Sequence, residues 1–173
     1  MTSKNAPVDQ GVGKRVTWGL LAAWVVHDLE ELATMARWTR ERKHVPTTTT
    51  AEAAIAIGAV GVVIAAAAAD GARTCGRSKF FQSALTGFGL HAVTHVASSA
   101  VFRGYTPGVL TAPTVVAPFS WWALRRLKRA GIEVNPSPRG LLWFPVIVGG
   151  AHLIARLATR VRENTAGVTN SAA

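Results

Sequence analysis

A chain of 173 residues that is 49% hydrophobic yet carries a formal net charge of +10 must be one domain in which charge and apolarity are segregated. Its mean hydropathy of +0.24 is high for a water-soluble domain, and its Lys and Arg cluster between long uncharged runs, the pattern of a polytopic helical membrane protein. Nucleic-acid binding, the competing reading of a pI near 11.3, is set aside because no recognised motif accompanies the basic clusters, which border apolar spans. The lone Cys75 excludes an intrachain disulfide and a thiolate cage, so any metal here would need His and carboxylate ligands.

Residues 1–13 read as a disordered polar tail ending just before Lys14-Arg15. The apolar run from Val16 to Val26 meets His27 and three acids without a small-residue cleavage site, so it reads as an uncleaved first span rather than a signal peptide. That span, 16–38, is roughly 30 Å long as a helix, with Trp18 and Trp38 as interfacial anchors. Midway along it stands His27-Asp28-Leu29-Glu30-Glu31. An acid at the centre of a spanning helix costs roughly 2.5–3.5 kcal/mol, while a Leu or Val contributes only about 0.3–0.6, so three acids are not offset locally. Such residues normally face a bundle interior or wet cavity, which makes the pentapeptide a candidate site. At 100° per residue His27, Glu30, Glu31 and Thr34 share one face with Arg37 two turns below Glu30, while Asp28 points elsewhere and reads as a packing or loop-facing residue.

Arg37 to His44 form a basic loop closed by Pro46 and four threonines, with His44 solvated and Thr50 the expected N-cap of the next helix. The second span, 51–69, is Ala, Ile, Val and Gly; Gly58 and Gly61 let neighbours approach, and its role is packing. A basic turn leads to the third span, 80–102, which carries His91 and His95 at i,i+4. One histidine on an apolar helix is commonly a satisfied core residue; two at this spacing put both imidazoles on one side, as in helix-borne metal pairs, although no Glu follows the first as in metalloprotease helices. The fourth span, 108–124, is broken by Pro113 and Pro118 and ends in Trp121-Trp122, so a kinked or partly re-entrant helix is expected, with a place where helices could part toward lipid. A polybasic loop from Arg125 to Arg129, continuing to 139, reads as facing the cytoplasm and anionic lipid. The fifth span, 141–158, holds His152 and, one turn later, Arg156, read as snorkelling to the interface; 164–173 reads as a disordered tail.

If the first, third and fifth helices meet, His27, Glu30, Glu31, His91, His95 and His152 form a mixed imidazole and carboxylate set suited to iron, zinc or manganese. Within it Glu30, Glu31 and His91 are the candidates for direct chemistry, either metal-activated water attack or oxidation. The His27-x-x-Glu30-Glu31 pattern in a small multi-helix chain resembles the HXXEE-motif family of integral membrane proteins; the resemblance implies a membrane location and a site at the motif, and no substrate. A second, partial resemblance is to the CAAX-type abortive-infection intramembrane proteases, carried by Glu30-Glu31, Arg37, Phe88, His91 and His152 in the same order. Its Arg and Phe spacings differ, which rotates those side chains by about 100–200° on a helix.

The resulting expectation is an all-α multi-pass protein of the cell membrane, one domain of about five spans over 1–173, with a buried His/Glu metal site acting on a membrane lipid or another lipid-soluble substrate. A modest excess of basic residues on one side places the N-terminus in the cytoplasm. Alternatives are a protease-like hydrolase using Glu30/Glu31 and His91/His152, a non-catalytic proton or metal-ion carrier, and purely structural interhelical hydrogen bonding.

Overall fold

The structure, a computed structural model, describes residues 12–170. It is all-α: α1 (Lys14–Arg40), α2 (Thr50–Arg73), α3 (Lys79–Val101), a π-helical turn (Ala112–Val116), α4 (Ala117–Arg129) and α5 (Pro138–Asn170). The parts of the expected tails at 1–11 and 171–173 lie outside the described residues.

Local chemistry sets the ends. α1 finishes with Arg37 and Arg40 in its last turn, where cations oppose the helix dipole. α2 opens with a capping box one residue earlier than expected: Glu52 N–H donates to the Thr49 hydroxyl at 3.1 Å, and Thr49 N–H donates to the Glu52 carboxylate at 2.7 Å. The hydroxyl of Ser78 accepts from Phe80 and Phe81 N–H to start α3.

The expected fourth span is the irregular one. Pro113 lacks an N–H and widens the ladder into a π turn, in which Ala117 N–H reaches back to the Ala112 carbonyl. α4 then runs on through Arg125 to Arg129, the stretch read from sequence as loop, and stops only at Ala130 and Gly131, whose φ is +70°. Once nucleated, a helix adds residues at little cost and does not end where apolarity ends. The same holds for α5, which continues to Asn170 across residues 164–170 of the expected tail.

α2 packs along both α1 and α5, while α3 sits against α4, α5 and the π turn. Leu20, Trp24, Ile64, Phe81, Leu85 and Phe88 form the centre of the core. Gly61 is where the Trp24 ring enters: a Cβ there would stand 2.7 Å from it, so even alanine would displace a core aromatic. Connections gather at two ends. At one, Val12 N–H donates to the Cys75 carbonyl, and Gln82 donates to the Gly76 carbonyl while accepting from Asn135 N–H. At the other, Trp38 Nε1 donates to the Tyr105 carbonyl at 2.7 Å, and the Arg42 guanidinium stacks 4.4 Å over the Trp38 ring.

Among the described residues two helices, α2 over Thr50–Arg73 and α5 over Pro138–Val161, are long and apolar enough to cross a membrane. α5 also turns a row of exposed apolar side chains outward, among them Leu142, Val146, Leu153 and Leu157.

Candidate metal centre

Two i,i+4 pairs face each other across the bundle. α1 presents His27 and Glu31, α3 presents His91 and His95, and one donor atom from each lies within 4.8 Å of all the others. His95 is the hub: its Nε2 is 2.8 Å from His91 Nε2, 3.2 Å from His27 Nε2 and 3.4 Å from Glu31 Oε1. Four donors held at about 2.0–2.2 Å around a tetrahedral ion stand about 3.3–3.6 Å apart, so the group is close to the size an ion would impose.

The outer ring nitrogens decide what the inner ones can do. His95 Nδ1 lies 2.8 Å from the Pro107 carbonyl, which can only accept, so the proton is on Nδ1 and Nε2 is bare. The Thr111 hydroxyl donates to Glu30 Oε2 at 2.6 Å, leaving its oxygen to accept from His27 Nδ1 at 2.8 Å; the inner nitrogen of His27 is bare as well. The Thr94 hydroxyl donates to the His91 carbonyl at 2.7 Å and lies 3.3 Å from His91 Nδ1, while His91 Nε2–H donates to the bare His95 Nε2 at 2.8 Å. Three imidazoles and a carboxylate therefore converge on one point, and a cation there would need only the His91 proton to move to Nδ1, beside the Thr94 oxygen. Outer partners that orient metal-binding imidazoles are built in this way.

The turn after α3 closes the site. Gly108 has φ +80° and approaches so closely that a Cβ would stand 2.6 Å from His95 and 2.8 Å from His27, so no residue with a side chain fits there. Glu30 holds the same turn, accepting from the N–H groups of Leu110 and Thr111 at 3.2 and 2.8 Å and from the Tyr105 hydroxyl at 2.8 Å. Burial, reinforced by the Glu30 carboxylate, pushes the Tyr105 phenol above its usual range and keeps it a donor.

The family model described as protein of unknown function with HXXEE motif matches residues 18–123, more than half of the chain. The chain belongs to the HXXEE family. No curated protein and no solved structure matches it. All four converging donors lie inside the HXXEE segment, as do Thr111, Pro107 and Gly108, whereas α5 begins after it.

Of the six residues read from sequence as ligands, the HXXEE structure brings together His27, Glu31, His91 and His95. Glu30 and His152 stand outside the group. Glu30 and Glu31 are 100° apart on α1, and only Glu31 is i,i+4 to His27. His152 lies on α5 within electrostatic reach of Glu52 and Arg156. Arg37 turns away to Glu41 at 2.8 Å on the surface, so neither it nor His152 joins the carboxylates as the protease resemblance required. Asp28 is buried within the bundle. Sequence reasoning missed Pro107, Gly108 and Thr111. By sequence Gly108 and Thr111 fall at the start of the fourth span, 108–124, and Pro107 in the connection before it, so nothing in the order of residues sets them apart.

Proposed function

We propose that this chain is a multi-pass membrane protein whose His27, Glu31, His91 and His95 hold a divalent metal ion, iron, zinc or manganese, and that it acts as an enzyme on a lipid or other membrane-dissolved substrate. The observation that carries the metal reading is the convergence of three imidazoles and a carboxylate, with the protons of His95 and His27 held outward by Pro107 and Thr111. Three imidazoles and one carboxylate suit those metals better than an all-oxygen magnesium site. A bound ion would supply Lewis acidity at the group. Glu30 and Thr111 would act by positioning, fixing His27 and the 108–111 turn.

The membrane reading is supported by the two long apolar helices and by the outward row of Leu142, Val146, Leu153 and Leu157, since soluble monomers rarely expose a contiguous apolar face of that kind. Exposed Trp18 and Trp121, the latter with the Arg125 guanidinium 3.8 Å over its ring, fit an interfacial belt at the end where the polybasic stretch lies. Five crossings with a cytoplasmic N-terminus would put the C-terminus outside.

One observation favours a second reading, a proton relay: short contacts run without a break from His91 through His95, His27 and Thr111 to Glu30. Elemental analysis of the protein purified in detergent separates the two. The metal reading expects near one equivalent of a single transition metal, lost in His95→Ala. Absence of metal after growth and dialysis with iron, zinc and manganese would overturn it and leave the relay. A reporter fused after Ala173 tests the crossing number, and a cytoplasmic signal would refute five spans.

A further inference from the structure

A cavity of about 500 Å³ lies between α3 and α5, lined on one side by Leu90, His91 and Thr94 and on the other by Pro145, Val148 and Gly149. Its volume is in the range of about 300–1,000 Å³ that holds a single small-molecule ligand. Its chemistry is one-ended. Among its lining residues the imidazole of His91 and the hydroxyl of Thr94 are the polar side chains, and none is charged. An ionised phosphate or a sugar placed inside would lose its water with nothing to replace it, whereas a hydrocarbon chain would lose nothing. His91 is shared: its ring forms cavity wall, and its Nε2 is 2.8 Å from His95 at the hub of the metal group. The polar end of an occupant therefore belongs at the metal group. Beside the cavity Leu90, Leu142 and Val146 are exposed, so the opening gives onto the same apolar surface as the outward face of α5. At the proline-broken turn, where sequence offered an entry, Ala112 and Val116 are fully buried in the core.

We propose that this cavity binds a single-chain lipid, with the hydrocarbon chain lying between α3 and α5 and a terminal oxygen function reaching the metal group past His91. The proposal rests on the metal reading above for the polar end and on the cavity alone for the chain. It also divides the work of the molecule: donors come from the segment the family model covers, and one wall of the chain site comes from α5, beyond it.

Gly149 provides the test, because it lines the cavity and a Cβ built there meets nothing within 4 Å, so a side chain can start there without a clash at its root and take up cavity space. The full-length protein, loaded with cobalt(II) in detergent, is titrated with palmitoyl hydroxamate and with acetohydroxamate, read by the cobalt absorption spectrum. Wild type is expected to bind the palmitoyl compound about 10-fold or more tightly than Gly149→Phe does, while acetohydroxamate binds both alike. Equal affinity of the palmitoyl compound for both proteins would overturn the proposal. If Gly149→Phe does not fold, Gly149→Leu takes its place. If no cobalt binds, the metal reading fails, and a diazirine-bearing fatty acid then decides the chain site by itself. Labelling of α3 near 87–94 and α5 near 141–149, lost in the Gly149 variant, supports it. Labelling that is spread over the outer faces or indifferent to the variant sinks it.

Discussion

Two buried carboxylates, Glu31 on α1 and Glu52 on α2, each have a histidine within reach and a helix opposite, yet their surroundings differ in kind. Glu52 accepts from its own N-cap at 2.7 Å, lies 3.8 Å from the Arg156 guanidinium and accepts from the Thr159 hydroxyl at 3.4 Å, while Arg156 also donates to the Thr47 carbonyl at 2.9 Å. A permanent cation and a helix start neutralise it, so the cluster locks α5 onto α2. Glu31 faces the bare inner nitrogen of His95, whose proton points away to the Pro107 carbonyl. The lesson is that burial of a carboxylate beside a histidine does not mark a site; the direction of the imidazole proton does.

The strongest way to break this contrast is at the donors. Glu31→Gln or His95→Ala should weaken metal retention by more than about 100-fold, because outer-shell changes alone reach about 10–100-fold. Glu52→Gln should leave metal content unchanged. Metal quantification on the three proteins decides it, and equal losses would erase the distinction between the clusters. Retention in wild type should also fall as pH falls, since imidazoles and the carboxylate bind metal only when deprotonated, and at a pH low enough to protonate them binding should release protons to the medium.

Next in size are the residues that aim the donors. Thr111→Val leaves His27 Nδ1 and Glu30 without their shared hydroxyl, and metal affinity should drop about 10–100-fold, with Thr111→Ser recovering most of it. Gly108→Ala forces a side chain into a positive-φ position against two imidazoles and should cost about 1–3 kcal/mol of stability along with the metal. Gly150→Ala, where a Cβ meets nothing within 4 Å, is the matched control. A folded Gly108→Ala protein with full metal content would show that the turn does not shape the site.

The smallest effect belongs to the structural cluster. Arg156→Ala or Glu52→Gln should lower stability in detergent by about 1–2 kcal/mol, the scale of a lost cap and one ion pair, seen as a lower thermal midpoint without change in metal content. Loss of metal from Arg156→Ala would mean that α5 docking and the metal group are coupled.

Much of the helical layout is legible in the order of residues alone. Apolar runs between basic clusters place α1 and α3 within about two residues of their observed ends, and α2 at its start, because hydropathy and caps are local properties. The i,i+4 spacing puts His91 and His95 on one side of α3, and the same rule puts both Glu30 and Glu31 on the side of His27, so the choice between the two glutamates was not legible. α4 and the end of α5 are less legible: polar, basic sequence continues a helix as readily as it ends one unless a Gly or Pro intervenes.

Residue order alone is enough to show that this chain is helical, that histidines and acids stand together inside apolar helices, and which of them share a face. It took the packing of the helices to turn those faces of α1 and α3 toward each other, to keep His152 out of the group on α5, and to commit Glu30 to the 108–111 turn. Periodicity assigns residues to a side of their own helix and says nothing about which sides meet. That choice is made by close fits such as Trp24 against Gly61 and Phe81 against Gly71, and by a turn whose glycine lets backbone come within contact distance of two imidazoles.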